Sequence, residues 1–320
     1  MIKDFLLKSV LLTLILIAIC YLLIWKYTNG YVDDFYIKYT HSKSNALIIG
    51  SSRALQGLNP DSVYKNTEYS YNALNFAFTS ANSPYSDVYL NAIKKVVDIN
   101  SNKGIFVLEV NPMSLCTKKD SISGEIEHRE EKLPLAFQLF FNQRPNVEYI
   151  FKHYEKPLYK LFIQNNADDS FKILHQNGWL EVKIKFDTIA FRKRRDKNYK
   201  TYLKSYPNYS FDSLRYKKLI ETIAWLSDFG KVYLVRLPVD SKVLELENSN
   251  VTNFTELMQQ IAANHKSEYI QFTQPEGSIY TTDGGHMHRY ATSEVSKALN
   301  KAIFEKTIVK LKVLIQNDYN

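Results

Sequence analysis

The sequence predicts an α/β domain, built on a largely parallel sheet, behind one N-terminal transmembrane helix. Three observations carry the prediction. From Phe5 to Trp25 the residues are almost wholly apolar, interrupted by Lys8, Ser9 and Thr13. Beyond Asn45, short apolar runs alternate with longer stretches whose apolar residues recur at helical spacing, the pattern of strands joined by crossover helices. The chain has 320 residues with 45% hydrophobic content, enough to bury a full core.

The N-terminal run is about the length needed to cross a bilayer. No small-residue cleavage pattern closes it: it ends Cys20-Tyr21-Leu22-Leu23-Ile24-Trp25-Lys26. Residues 1–28 are therefore expected to remain as a signal anchor. Only one small residue, Ala18, stands before Cys20, and the apolar stretch continues past it, which argues against lipoprotein cleavage. Lys3 and Lys8 precede the helix and favour a cytoplasmic N-terminus, a bias that Lys26 and Lys38 weaken. Residues 29–320 are read as a single-pass protein's extracytoplasmic domain.

Within that domain the elements follow in order. Ala46 to Ile49 reads as a strand and Ala73 to Phe78 as a second apolar stretch. Ser86 to Asn100 reads as a helix with Val88, Leu90, Ile93, Val96 and Val97 near helical spacing, and Ile105 to Val110 as a strand. Ser213 to Phe229 reads as a helix that Gly230 ends before the strand Val232 to Val235. A helix at about Phe254 to His265, a strand at Tyr269 to Phe272 and a helix from about Tyr290 to Phe304 complete the alternation. The region from about 113 to 210 breaks the rhythm. It is rich in Phe, Tyr, Lys and Asn, holds short amphipathic pieces at Leu133 to Phe141 and Tyr149 to Ile163, and reads as a lid-like insertion. Its tyrosines and Trp179 could stack on sugar rings or simply pack.

Two short motifs carry chemistry. Gly50-Ser51-Ser52-Arg53 follows the first strand, so Ser52 is expected at the carboxyl end of a buried strand, where ligands bind in open α/β sheets. A serine-rich turn that merely caps a helix fits the same residues. Far downstream, Asp283-Gly284-Gly285-His286 lies in a polar loop before the last helix. There an aspartate can fold back onto a histidine three residues on and hold its second ring nitrogen. Together they supply nucleophile, orienting acid and base, which points to ester chemistry. His288 ranks second as the base, and Ser51 is the neighbour to test if Ser52 is not the nucleophile.

On these motifs the chain resembles the SGNH or GDSL hydrolase superfamily, and more narrowly its membrane-anchored members related to alginate O-acetylation and D-alanyl-lipoteichoic acid transfer proteins. Gly50-Ser51-Ser52 is similar to the superfamily's Gly-Asp-Ser block, and Asp283 to His286 to its Asp-x-x-His block. The middle blocks depart from the pattern. Ser80 stands where a glycine N–H helps form the oxyanion hole, and Asn111 before Pro112 is all that answers to Gly-x-Asn-Asp. The resemblance implies a flavodoxin-like three-layer sandwich with Ser52, His286 and Asp283 as the catalytic set. It implies an oxyanion hole of the Ser52 and Ser80 N–H groups with the Asn111 amide; Asn111 as a plain turn residue is the alternative.

Only two cysteines occur, Cys20 in the apolar run and Cys116 beyond it, so no internal disulfide is expected, and no cysteine–histidine spacing suggests a metal. No cofactor is implied. The net charge of +8 and the Arg192-Lys193-Arg194-Arg195 run are compatible with nucleic acid, but an exported domain removes that partner. Anionic headgroups or an anionic polymer fit the charge instead, as does a plain solvated face.

The expected function is that of an extracytoplasmic, membrane-anchored esterase or O-acyltransferase acting on acyl groups of a cell-envelope or secreted polysaccharide. The acetyl assignment, and a membrane-bound O-acyltransferase as donor partner, come from the resemblance. The alternatives are an SGNH-fold binding or assembly protein with weak or no turnover, and a lipid esterase. Apolar residues lining the lid would favour lipid and polar aromatics would favour glycan; Leu135, Phe137, Leu139, Phe140 and Phe141 leave this open.

Overall fold

The computed structural model describes residues 2–28, 33–66, 68–79, 81–119, 128–154, 157–163, 171–307 and 311. Helix α1, Ile2–Tyr27, packs none of its side chains into the domain deeply enough to bury them and is long and apolar enough to span a membrane. At 1.5 Å per residue its 26 residues reach about 39 Å, against a hydrocarbon core of about 30 Å.

Helix α2, Tyr36–Thr40, leads into strand β1, Ala46–Ile49, then helices α3, Ser52–Gly57, and α4, Pro60–Val63. Strand β2, Ala73–Asn75, helix α5, Asp87–Val96, and strand β3, Gly104–Glu109, follow. The insertion holds strand β4, Cys116–Lys118, helices α6, Pro134–Phe137, α7, Val147–Lys152, and α8, Lys160–Ile163, strands β5, Lys172–Leu174, and β6, Leu180–Val182, and helix α9, Thr188–Ser205. Strand β7, Tyr209–Phe211, helix α10, Ser213–Ser227, strand β8, Gly230–Arg236, helices α11, Ser241–Asn250, and α12, Phe254–Asn264, strand β9, Ser267–Gln271, and helix α13, Arg289–Phe304, complete the chain.

The main sheet has five parallel strands in the order β2-β1-β3-β8-β9. Counting only these strands, the order is 2-1-3-4-5, that of flavodoxin-like doubly wound sheets. Helices α3, α4 and α13 pack together, and α5 packs against α10. Right-handed crossovers put these two groups on opposite faces of the sheet, giving a mixed α/β fold compatible with three layers. Helices on both faces explain why β1 and β3 are buried at every position and why Ala46 to Ile49 and Ile105 to Leu108 read as unbroken apolar runs.

The expected elements differ from the observed ones mainly at their ends. The helix expected over Ser86 to Asn100 stops at Val96, and Gly230 opens β8 rather than lying between helix and strand. The apolar stretch to Phe78 pairs only through Asn75. Helix α11 was not expected, nor was α9, whose charged sequence carries no apolar stripe and buries only Phe191. The amphipathic piece expected over Tyr149 to Ile163 holds the end of α7 and all of α8 among its described residues.

Packing between α13 and α3 brings the two distant motifs together. Thr292 Oγ1 donates to the Gln56 carbonyl at 3.0 Å, and Ser296 Oγ accepts from the Asn59 N–H at 3.1 Å. Because α13 begins just after His286 and α3 begins at Ser52, docking these helices fixes both loops at one end of the sheet.

Candidate active site

Ser52 is the first residue of α3, directly after the carboxyl end of β1. Gly50 makes the tight turn possible, since a Cβ there would lie 2.7 Å from the Glu109 Cβ and 2.8 Å from the Ala54 Cβ. Ser51 is the N-cap, accepting from the Arg53 N–H at 3.3 Å. The Ser52 N–H sits in the first helical turn, where no intrahelical acceptor exists.

The histidine loop closes on itself. Thr281 and Met287 form an antiparallel bridge, the Thr282 N–H donates to the His286 carbonyl at 2.8 Å, and Gly284 takes φ +90°, a conformation other residues adopt only with strain. Asp283 Oδ1 accepts from the Gly285 and His286 N–H groups at 3.0 and 2.8 Å, while Oδ2 accepts from His286 Nδ1 at 2.8 Å. The aspartate therefore both shapes the turn and holds the imidazole.

Ser52 Oγ lies 2.9 Å from His286 Nε2. A carboxylate on Nδ1 requires the proton on that nitrogen, which leaves Nε2 as acceptor for the serine hydroxyl. Burial pushes the Asp283 carboxyl up, but the hydrogen bond and charge of His286 and the two backbone donors outweigh it and hold it at about 2. The acid is thus ionised at any ordinary pH.

A carboxylate that sequence reasoning missed organises the turn from below. Glu109, at the end of β3, is fully buried. Its Oε2 accepts from the Ser51 N–H and the Ser51 Oγ–H, both at 2.9 Å, and its Oε1 accepts from Asn111 Nδ2 at 2.7 Å. Ser51 is therefore committed to Glu109, and Ser52 is the serine that faces the histidine. Asn111 caps the 3-10 turn Pro112–Leu115, its Oδ1 accepting from the Ser114 N–H at 3.0 Å. It also lines the cavity beside Ser52, and its amide carries a second hydrogen not used by Glu109. Ser80 lies outside the described residues; its neighbour Ala81 is in the cavity wall.

Beneath the turn, Arg53 and Arg236 share Glu247, at 2.5 and 3.3 Å. Burial works against the Arg53 charge, but the Glu247 carboxylate raises its pKa above the ordinary range, so it stays cationic. The two guanidiniums balance the buried carboxylates of Glu247 and Glu109 on either side of the turn.

The cavity in front of Ser52 and His286 has a volume of about 410 Å³. The insertion builds much of its wall, contributing Cys116 to Lys119, Tyr202 and Tyr206. The two tyrosine rings stack with centroids 5.0 Å apart. The wall is polar. Leu135 and Phe141 are buried in the core instead, and Phe137, Leu139 and Phe140 face outward away from the cavity lining.

Three further features singled out in the sequence lie outside the cavity lining. His288 is buried: its Nε2 donates to the Ile184 carbonyl at 2.8 Å and Nδ1 accepts from the Tyr290 N–H at 3.5 Å, so it caps α13 and lies outside the cavity lining. Trp179 stacks on His175 and donates Nε1–H to the Gln56 carbonyl at 2.9 Å, which makes it packing. The Arg192 to Arg195 run lies on α9, where Arg194 donates to the Thr282 carbonyl at 2.8 Å, and Asn198 on the same helix donates to the Asp283 carbonyl at 3.2 Å. At least part of that run buttresses the histidine loop. Nothing in the spacing of a charged helix signalled that role.

No protein-family model matches the chain, and no curated protein matches its sequence.

Proposed function

We propose that this protein is a membrane-anchored serine esterase or O-acyltransferase of SGNH type, acting on acetyl or similarly small acyl groups of an envelope or secreted polysaccharide. The observation that carries the reading is the continuous chain Ser52 Oγ, His286 Nε2, His286 Nδ1, Asp283 Oδ2, with links of 2.9 and 2.8 Å. Ser52 Oγ attacks the acyl carbonyl as its proton passes to His286 Nε2. The oxyanion is met by the Ser52 N–H, the free hydrogen of the Asn111 amide and, by the resemblance, the Ser80 N–H. The new imidazolium is stabilised by ionised Asp283 and returns its proton to the departing alcohol, leaving an acyl-Ser52 ester. An incoming hydroxyl, from water or a sugar, then reverses the sequence.

The charged, amide and hydroxyl side chains in the cavity wall, among them Arg53, Asn111, Lys118 and Tyr202, favour a hydroxylated glycan over a lipid chain as the bound substrate. An extracytoplasmic location and a membrane-bound acyltransferase as donor partner belong to the same proposal, supported by α1 and the resemblance. The test is turnover of an activated acetyl ester by the purified full chain, beside its Ser52→Ala variant. Acetate release that needs Ser52 supports the reading, and equal release by both proteins removes it.

A further inference from the structure

The insertion carries a second apolar surface, on the outside of the protein. Phe137, Leu139, Phe140, Phe151, Leu158 and Ile163 are exposed, the most exposed being Leu139 at 64%, Phe151 at 67% and Ile163 at 70%. Scattered exposed apolar residues are ordinary, but these belong to one assembly. The Leu139 and Phe140 N–H groups donate to Glu148 Oε2 at 3.0 and 2.8 Å, which holds them against α7. On α7, Phe151 follows Val147 by one turn on an exposed face, while Tyr149 and Ile150 on the other side are buried against the core. A helix facing water on one side is expected to be polar there. The polar residues of this one, Glu148 and Lys152, are paired with each other at 2.8 Å.

This assembly stands at the point where α1 leaves the domain. Tyr149 Oη donates to Asp33 at 2.8 Å, the Asn146 N–H donates to Tyr36 Oη at 3.1 Å, and Arg144 reaches the Thr28 carbonyl at 3.5 Å. Helix α8, which ends at Ile163, lies against α1 itself. If α1 spans a bilayer, its last residues, Lys26 to Thr28, stand at headgroup depth, and so does what is bonded to them. Arg144 and Lys160 flank the apolar residues in sequence with the charge that anionic headgroups attract, Lys152 being held by Glu148.

We propose that this face, carried by Leu139, Phe140, Val147, Phe151 and Ile163, beds into the interfacial layer of the leaflet from which α1 emerges, so that the domain rests on the membrane rather than swinging from a tether. The inference depends on the anchor reading of α1 and not on the chemistry at Ser52. It fixes the domain's orientation, and with it the direction from which a polymer reaches the cavity.

The test uses the full chain in liposomes of phosphatidylcholine and anionic lipid, with bromine on the acyl chains. An environment-sensitive fluorophore is attached at Leu139→Cys or Phe151→Cys in a Cys20→Ala, Cys116→Ser background, because Cys116 borders the cavity, and the anchor is labelled with Cys116→Ser alone. Labels at 139 and 151 should be strongly quenched by the bromolipid, a label at Leu203→Cys on α9 should not, and a label on native Cys20 should report the anchor. Labels at 139 and 151 that stay open to aqueous iodide while Cys20 is lipid-quenched overturn the proposal. Labels shielded from iodide but untouched by bromolipid also overturn it, and assign the face to a second copy of the chain. An unquenched label at Cys20 removes the anchor and the proposal with it.

Discussion

Arg194 Nε donates to the Thr282 carbonyl across 2.8 Å, joining the insertion helix α9 to the loop that presents His286. Asn198, one turn further along α9, makes a parallel bond to the Asp283 carbonyl at 3.2 Å. The insertion is thereby part of what holds the imidazole in place, besides walling the cavity.

Breaking that clamp should lower turnover more than it lowers stability. Arg194→Ala with Asn198→Ala leaves the triad residues intact but frees the loop, and small misplacements of a catalytic group are costly. The expected result is a reduced kcat with a melting temperature within a few degrees of the parent. An unchanged kcat would show that Gly284, Thr282 and the Asp283 turn hold the loop unaided.

Glu109 should behave as a positioning residue. Glu109→Gln keeps the shape but replaces one acceptor oxygen with an amide that faces donors on Ser51 or Asn111, and a mismatched buried polar group costs about 1–3 kcal/mol. Denaturant unfolding should show that loss, and kcat should fall because the Ser52 turn and the Asn111 amide both shift. Loss of stability with unchanged kcat would confine Glu109 to folding.

The pH dependence of stability follows from Asp283. Its folded-state pKa of about 2 lies below the ordinary 3.8, so its ionised form stabilises the fold above about pH 4, and that stabilisation is lost as pH falls toward 2. Asp283→Asn removes the titrating group. Acid unfolding curves of parent and variant should therefore differ in slope between about pH 4 and 2 and run parallel above that window.

A chain lacking residues 1–26 should stay folded and keep esterase turnover, because α1 buries none of its residues in the domain and the site lies beyond residue 50. Its partition should change: the full chain is expected in the membrane fraction after alkaline extraction, the truncated one in the supernatant. Loss of turnover in a folded truncated protein would place α1 in the catalytic unit.

Much of this architecture was legible because burial on both faces leaves a direct mark on sequence. Strand segments such as Ile105 to Leu108 have to be apolar throughout, and Gly50 is required where the ends of β1 and β3 nearly touch. Ser52, Asp283 and His286 were readable because an Asp-x-x-His turn is local and because a serine after a strand has a defined place. Glu109 was not, since a carboxylate at a strand end looks like any solvated acid until Ser51 and Asn111 are seen to converge on it. Helix α9 was missed for a related reason: it is held by polar bonds from Arg194 and Asn198, which leave no hydrophobic period. His288 drew attention by its place in the loop, yet its burial, which lowers its pKa, and its bond to Ile184 give it a structural task.

Triad substitutions should be non-additive. Ser52→Ala and His286→Ala should each remove nearly all turnover, their double variant little more, and Asp283→Ala less than either, with stability of Ser52→Ala within about 0.5 kcal/mol of the parent.

The most direct test traps the intermediate. The full chain is mixed with an activated acetyl ester, quenched in acid within the burst phase and digested, and the peptide containing Ser52 is weighed. The account predicts a mass gain of one acetyl group on Ser52 that is absent from Ser52→Ala and barely formed in His286→Ala. Acetate release without any acyl-Ser52, or an acetyl group found on Ser51 instead, would contradict it.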